Sequence, residues 1–338
     1  MELSFPLPRT PEGRVYRYSP NAQAHPRHFV LGEVESSFVA NEDAKPQMKL
    51  VPHSPQTVCP YSGVVAEDGQ FNHPEDIEAA FNLMKHAVFA DAEESLGDLV
   101  KGLSRNSSRN RFLKIETKTS RVARPRPRFS RLDLIRELVC DHCGRDYGVF
   151  AIGLFCPDCG APNLSLHFGR EVELVRAQVK IAESQRSEHQ ELAYRLLGNA
   201  HEDVLTALEA TLKTVYIFGA ITRSLSEVPA KPIKTDFQNI DAARQRFLEL
   251  NIALFTNLND KELATLKLNI QKRHIIGHNL GVMDTKFAEH AVDARIGETI
   301  QIVAEDILKF AEISQRVVDQ LDTWLESIPL LRFEEDNG

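Results

Sequence analysis

The stretch from Cys140 to Cys159, CDHCGRDYGVFAIGLFCPDC, constrains this chain more than any other. Two Cys pairs, each with two residues between, stand twelve residues apart. Each pair can bend back in a tight turn that aims both thiolates at one point. Gly144 and Gly160 follow the pairs where such a turn needs a positive φ. Two facing turns supply four sulfurs in a tetrahedron, a donor set that suits Zn²⁺. The run between them, Tyr147 to Phe155, is apolar and rich in β-formers. It is too short to cross a membrane and reads as a hairpin holding the knuckles together. Two disulfides would instead require a secreted protein, whereas four of the five Cys sit in one motif, as expected in a reducing compartment. With Cys140, Cys143, Cys156 and Cys159 all engaged, the metal keeps no open position. A structural Zn²⁺ is expected, and catalysis must be sought elsewhere.

The rest of the chain sets the bounds. Its 338 residues allow two or three domains, and an apolar fraction of 42% is that of a globular protein. The first residues, MELSFPLPRTPEGR, hold no apolar signal core, and no run approaches the ~20 residues of a membrane helix. A cytoplasmic protein with no membrane partner is expected. The net charge of -8 argues against a surface that coats nucleic acid uniformly, yet leaves room for a local basic patch.

Taken in order, residues 1–75 carry many Pro, Gly and Ser with short extended pieces, and read as a small β-rich, partly irregular region. Within it, Cys59-Pro60-Tyr61-Ser62-Gly63 has the shape of a zinc knuckle whose second ligand has become Ser. His53 and His73 lie near it in sequence and could coordinate. Because no second pair exists upstream, the favoured reading is a metal-free degenerate ribbon, with Cys59 buried as a small apolar residue. Residues 76–104 form a helical segment opened by Pro74. Residues 105–137 form a basic linker: between Lys101 and Arg136 there are twelve Lys or Arg against two acids. This stretch is either a solvated extended linker or a phosphate-binding strip, carried by Arg121, Arg124, Arg126 and Arg128, that leads into the ribbon at 138–166.

After the ribbon, residues 170–330 are helical almost throughout, with an acidic tail at 331–338. Leu205, Leu208, Leu212 and Val215 share one face, and Ile300, Val303, Ile307, Phe310, Val317, Leu321, Trp324 and Ile328 keep a three-four spacing interrupted by Ser314. The fold class expected is multidomain: a mostly α C-terminal bundle, a small β zinc ribbon and the β-rich N-terminal region.

The residues suited to chemistry crowd Asn269–Asp284, NIQKRHIIGHNLGVMD. His274 and His278 lie four apart and could share a metal, but the metalloprotease helix needs Glu directly after the first His, and here that residue is Ile275. A helix-end cluster that satisfies backbone carbonyls is the plainest account. Arg273 with His278 is also a sufficient kit for cleaving RNA without metal: His moves the 2′-OH proton and Arg stabilises the phosphoryl transition state.

Arg273, the polar residue directly after it, and His278 after four intervening residues resemble the signature of HEPN-domain ribonucleases, and the helical setting over roughly residues 185–330 is similar. The resemblance implies a four- to five-helix bundle that forms a homodimer, with the Arg and His of two chains meeting in one cleft. It implies Arg273 and His278 as the catalytic pair and His274 as the polar supporting residue, with Asn279 and Asp284 outside the core signature. It further implies RNA as substrate and a toxin or antiviral-defence role, with an antitoxin or defence-system protein as partner. The alternative is a non-catalytic adaptor whose ribbon binds nucleic acid or protein and whose bundle only dimerises.

Overall fold

The computed structural model describes residues 9–32, 55–82, 85, 135–222, 233–279, 281–288 and 295–333, with the backbone alone for 274, 277–279 and 286. Short strands come first: β1 (Val15–Tyr18), β2 (His28–Leu31), β3 (Gln56–Val58) and β4 (Val64–Glu67). A helix over residues 74–82, α1, follows. Then come β5 (Arg136–Val139) and β6 (Asp146–Val149), and the helices α2 (Leu164–Gln185), α3 (Gln190–Thr222), α4 (Ile240–Glu249), α5 (Asp260–Asn279), α6 (Thr285–Ala288) and α7 (Ala304–Glu326). The two-residue strand β7 (Leu331–Arg332) closes the described chain. The mostly helical C-terminal half and the small sheets agree with the expected class.

Two sheets frame the N-terminal part. One is antiparallel throughout, in the order β1-β2-β6-β5; the other has the order β3-β4-β7, with β7 parallel to β4. The N-terminal strands and the knuckle strands, which the sequence suggests as separate modules, thus share one sheet. Strand β6 lies inside it and is buried on both faces. Arg14 reaches across this sheet to Asp146, with Nε–Oδ2 at 3.0 Å and Nη2–Oδ1 at 2.5 Å, and to Glu137 Oε1 at 3.0 Å. Removing one partner would leave a buried charge uncompensated, so the three groups depend on one another.

The run Tyr147–Phe155 is not itself the hairpin expected. β6 pairs backward with β5 across the first knuckle, and the second knuckle closes through a bridge between Phe155 and Pro162. The main core lies between α2, α3 and α7, where Phe168, Val175, Leu208, Leu212, Phe310 and Val317 meet. Leu154, Phe155 and Val58 belong to the same cluster, so knuckle and bundle share one core.

Three further expectations need correction. Helix α2 begins at Leu164, directly after the second knuckle, rather than at residue 170. Helix α7 begins at Ala304, and Ile300 belongs instead to a small satellite core with Ile275 and Phe287. Helix α3 is long and apolar enough to cross a membrane by length and composition, unlike the expectation from sequence. However, 56% of its most apolar window is buried inside the protein, as for a core helix.

Candidate functional site

The Cys quartet is the best-defined constellation. After β5, the Cys140 N–H donates to Arg145 O at 3.0 Å and the Gly144 N–H to Cys140 O at 2.7 Å. After Phe155 the same pattern recurs, from Cys156 to Ala161 O at 2.8 Å and from Gly160 to Cys156 O at 3.0 Å. Gly144 and Gly160 take φ of 74° and 73°, the left-handed conformation the turns require. The turns bring the four Sγ atoms within 4.8 Å of one another. Cys140–Cys159 and Cys143–Cys156 are 3.8 and 3.7 Å apart. A tetrahedron with metal–sulfur bonds of about 2.3 Å has edges of about 3.8 Å, so the donor set fits a Zn²⁺-sized ion.

The electrostatics agree. Hydrogen bonds from its neighbours, that of Cys143 first, pull the Cys140 thiol far below its usual range, while Cys140, then Cys143, push Cys156 far above it. A dication among them would let all four sulfurs ionise together. The Asp158 N–H points at Cys156 Sγ from 3.4 Å.

The turn at Cys59 is a third knuckle by backbone. The Cys59 N–H donates to Val64 O at 2.8 Å and the Gly63 N–H to Cys59 O at 2.9 Å. Cys59 is fully buried in the second apolar cluster. Among the described residues, the quartet at 140–159 is the one group of three or more metal-ligating side chains, and Cys59 is not part of it. His73 packs against Tyr18 and His28 instead. His53 and the strip Arg121, Arg124, Arg126 and Arg128 lie outside the described residues.

The second constellation is the C-terminal end of α5. This helix is continuous through Asn279, so it carries Arg273, His274 and His278 on its last turns. Five residues along a helix turn the chain by about 140° beyond a full turn, so positions 273 and 278 fall on different faces. Arg273 is about one-third exposed, and its Nη1 lies 3.8 Å from Glu209 Oε2 on α3. Gln238 Nε2 holds that carboxylate in place by donating to the same oxygen at 2.8 Å. No family model, curated protein or solved structure matches this chain. Its local geometry therefore carries the functional reading.

Beyond α5 the chain turns at Gly281, φ 84°, whose N–H donates to Ile275 O at 3.0 Å and whose carbonyl accepts from Ile300 N at 2.7 Å. A Cβ on Gly281 would sit 2.6 Å from Tyr194 Oη on α3, which fixes glycine there. Asp284 accepts from Phe287 N at 2.8 Å and caps α6. It holds the segment after the motif rather than pointing to chemistry.

Behind Arg273, His201 of α3 is buried. Its Nε2 is 3.1 Å from Asn269 Oδ1, while Asn269 Nδ2 donates to Thr265 O at 2.9 Å. The Asn oxygen therefore accepts, His201 Nε2 carries the proton, and Nδ1 has no partner. Burial, aided by Lys272 and Arg273 against a smaller opposing pull from Asn269, pushes His201 down to about 4. It stays neutral near pH 7 and rigidly spaces α3 from α5. Sequence reasoning passed over Glu209, Gln238 and Tyr194, since none belongs to a short motif and each reaches the site from another element.

Proposed function

We propose that the chain is a metal-independent endoribonuclease of toxin or antiviral-defence type, with Arg273 and His278 as its catalytic pair and a structural zinc in the Cys quartet. What supports this reading best is the state of Arg273. Its guanidinium is partly exposed on the last turns of α5, and its Glu209 contact, at 3.8 Å, is long for an ion pair. An arriving phosphate can displace so loose a partner, and Arg stays charged at every relevant pH. A neutral imidazole takes the proton from the ribose 2′-OH, and its oxygen bonds to phosphorus. The bond to the 5′-oxygen breaks, and that oxygen takes a proton, leaving a 2′,3′-cyclic phosphate and a 5′-hydroxyl. Two such groups are available if two chains meet about a two-fold axis at the ends of their α5 helices.

One observation favours a second reading. On the unbroken helix α5, positions 273 and 278 fall on different faces, an arrangement that does not favour a site within one chain. A chain that stays monomeric would then be a zinc-stabilised adaptor that binds RNA or protein without cutting it. The test is incubation of purified protein with total RNA in EDTA, beside Arg273→Ala and His278→Ala and with the oligomeric state measured. Cleavage by a wild-type dimer, lost in both variants, supports the nuclease. Cleavage that persists in both, or none by the wild type, removes it.

A further inference from the structure

We propose that Asn163 and Tyr147 are the outer shell of the metal site, with the Asn163 amide set against the Cys140 sulfur and Tyr147 holding that amide in place. Asn163 is the residue before α2, where an Asn side chain ordinarily turns back to accept from the helix's first free N–H groups. Here it makes no such bond. Asp322 of α7 takes over instead, its Oδ1 accepting from Leu164 N at 2.8 Å. The Asn163 amide is thereby released to face the knuckles. Its Oδ1 lies 3.6 Å from Cys140 Sγ, and its Nδ2 donates to Tyr147 Oη at 2.9 Å. Asn163 is 3% exposed and Tyr147 fully buried, so this chain of contacts excludes water.

In these contacts the amide oxygen is the atom that faces the sulfur. A metal-bound sulfur has no proton and can only accept. The amide oxygen would then face a second acceptor. A half-turn of the Asn163 amide resolves this without moving the backbone, because its oxygen and nitrogen occupy nearly equivalent places. Nδ2 then donates to Cys140 Sγ, and the Tyr147 hydroxyl, which is donor as well as acceptor, donates to Oδ1. Every polar atom in the chain stays satisfied, and the sulfur gains an N–H bond that fixes its lone pairs toward the metal. Because the same residue starts α2, the metal's outer shell and the helical bundle meet at one side chain. The proposal rests on the zinc reading above and asks more of it: Asn163 and Tyr147 are positioning residues, with Tyr147 acting only through Asn163.

The experiment uses the full chain loaded with Zn²⁺ or Co²⁺, with metal affinity read by chelator competition and the sulfur-to-cobalt absorption band as a second signal. Loss of an outer-shell partner typically weakens metal affinity by about 10–100-fold. Asn163→Ala should fall in that range, and Asn163→Asp, which keeps the shape but has no donor, should fall at least as far. Tyr147→Phe should cost less, shift the cobalt band, and add nothing once Asn163→Ala is present. Wild-type affinity in Asn163→Asp, or a double variant that loses the product of the two single effects, overturns the proposal. A wild-type chain that binds neither ion removes the zinc reading itself, a different result from unchanged affinity in the variants.

Discussion

Lowering the pH should loosen the bundle through two buried histidines, and the size of the effect follows from where they sit. Burial, aided by Arg136, pushes His167 down to about 3, as burial pushes His201 down to about 4. Both lie well below the ordinary value near 6.5 that an unfolded chain would show. Between those limits the unfolded chain binds more protons than the folded one, so stability rises with pH. The stability is complete above pH 6.5 and is lost as pH falls through the window toward 4 and 3. At pH 5 an ordinary histidine is almost fully protonated while these two remain neutral, which corresponds to about 2 kcal/mol for each. The loss down to pH 5 is set mainly by the unfolded value, so it barely depends on how deeply each folded value is depressed. Together they remove about 4 kcal/mol, which for a unit of this size is a fall in Tm of about 8–16 °C. The assay is thermal unfolding of the helical signal at pH 7.5 and pH 5.0, for the wild type and for His167→Phe/His201→Gln. The variant should be nearly free of this component, and comparing the two chains cancels any contribution from the cysteines. A variant that loses as much Tm as the wild type over this interval would refute the reasoning.

Three further outcomes are expected. Gly160→Ala forces a side chain onto a φ of 73°, and its Cβ would lie 2.4 Å from Leu330 Cδ1; chemical unfolding should show a loss of about 1–2 kcal/mol or more, with part of it recovered in Gly160→Ala/Leu330→Ala. Cys143→Ser should abolish tight metal binding and expose residues 138–166 to hydrogen exchange, and a full complement of metal in that variant would contradict the quartet. Reversing Arg121, Arg124, Arg126 and Arg128 to Glu should weaken RNA binding and flatten its salt dependence if the strip contacts phosphates, whereas an unchanged slope would return it to a linker.

The parts of this molecule legible in the sequence are those whose cause is local. Two Cys-x-x-Cys turns with a following Gly fix their own geometry, so the quartet and its glycines could be read directly. The buried stripe of α3 follows from helical spacing alone. The long-range pairings could not be read this way. Strands of two to four residues carry too little alternation to name a partner, so nothing signalled that β2 would lie beside β6 or that β7 would return to β4. The start of α2 was hidden for a related reason. Asn163 spends its side chain on the knuckle rather than the helix, and the cap comes from Asp322, 158 residues away in the sequence. Ile300 fits the α7 stripe by spacing, yet its backbone pairs with Gly281, and the helix starts only at Ala304. At the end of α5 the spacing of Arg273 and His278 could be read, but Glu209 beside Arg273, and Gln238 holding Glu209, could not, because they come from elements that share no local pattern.

The most direct test of the nuclease reading is the chemistry of its products. A defined RNA oligonucleotide and its all-2′-deoxy counterpart are incubated with the wild-type protein in EDTA, and the ends of any fragments are identified by mass. The account predicts that the RNA alone is cut, that upstream fragments end in a 2′,3′-cyclic phosphate, and that downstream fragments begin with a 5′-hydroxyl. Cleavage of the deoxy strand, or fragments bearing a 5′-phosphate, would contradict attack by the 2′-OH and with it the roles assigned to Arg273 and His278.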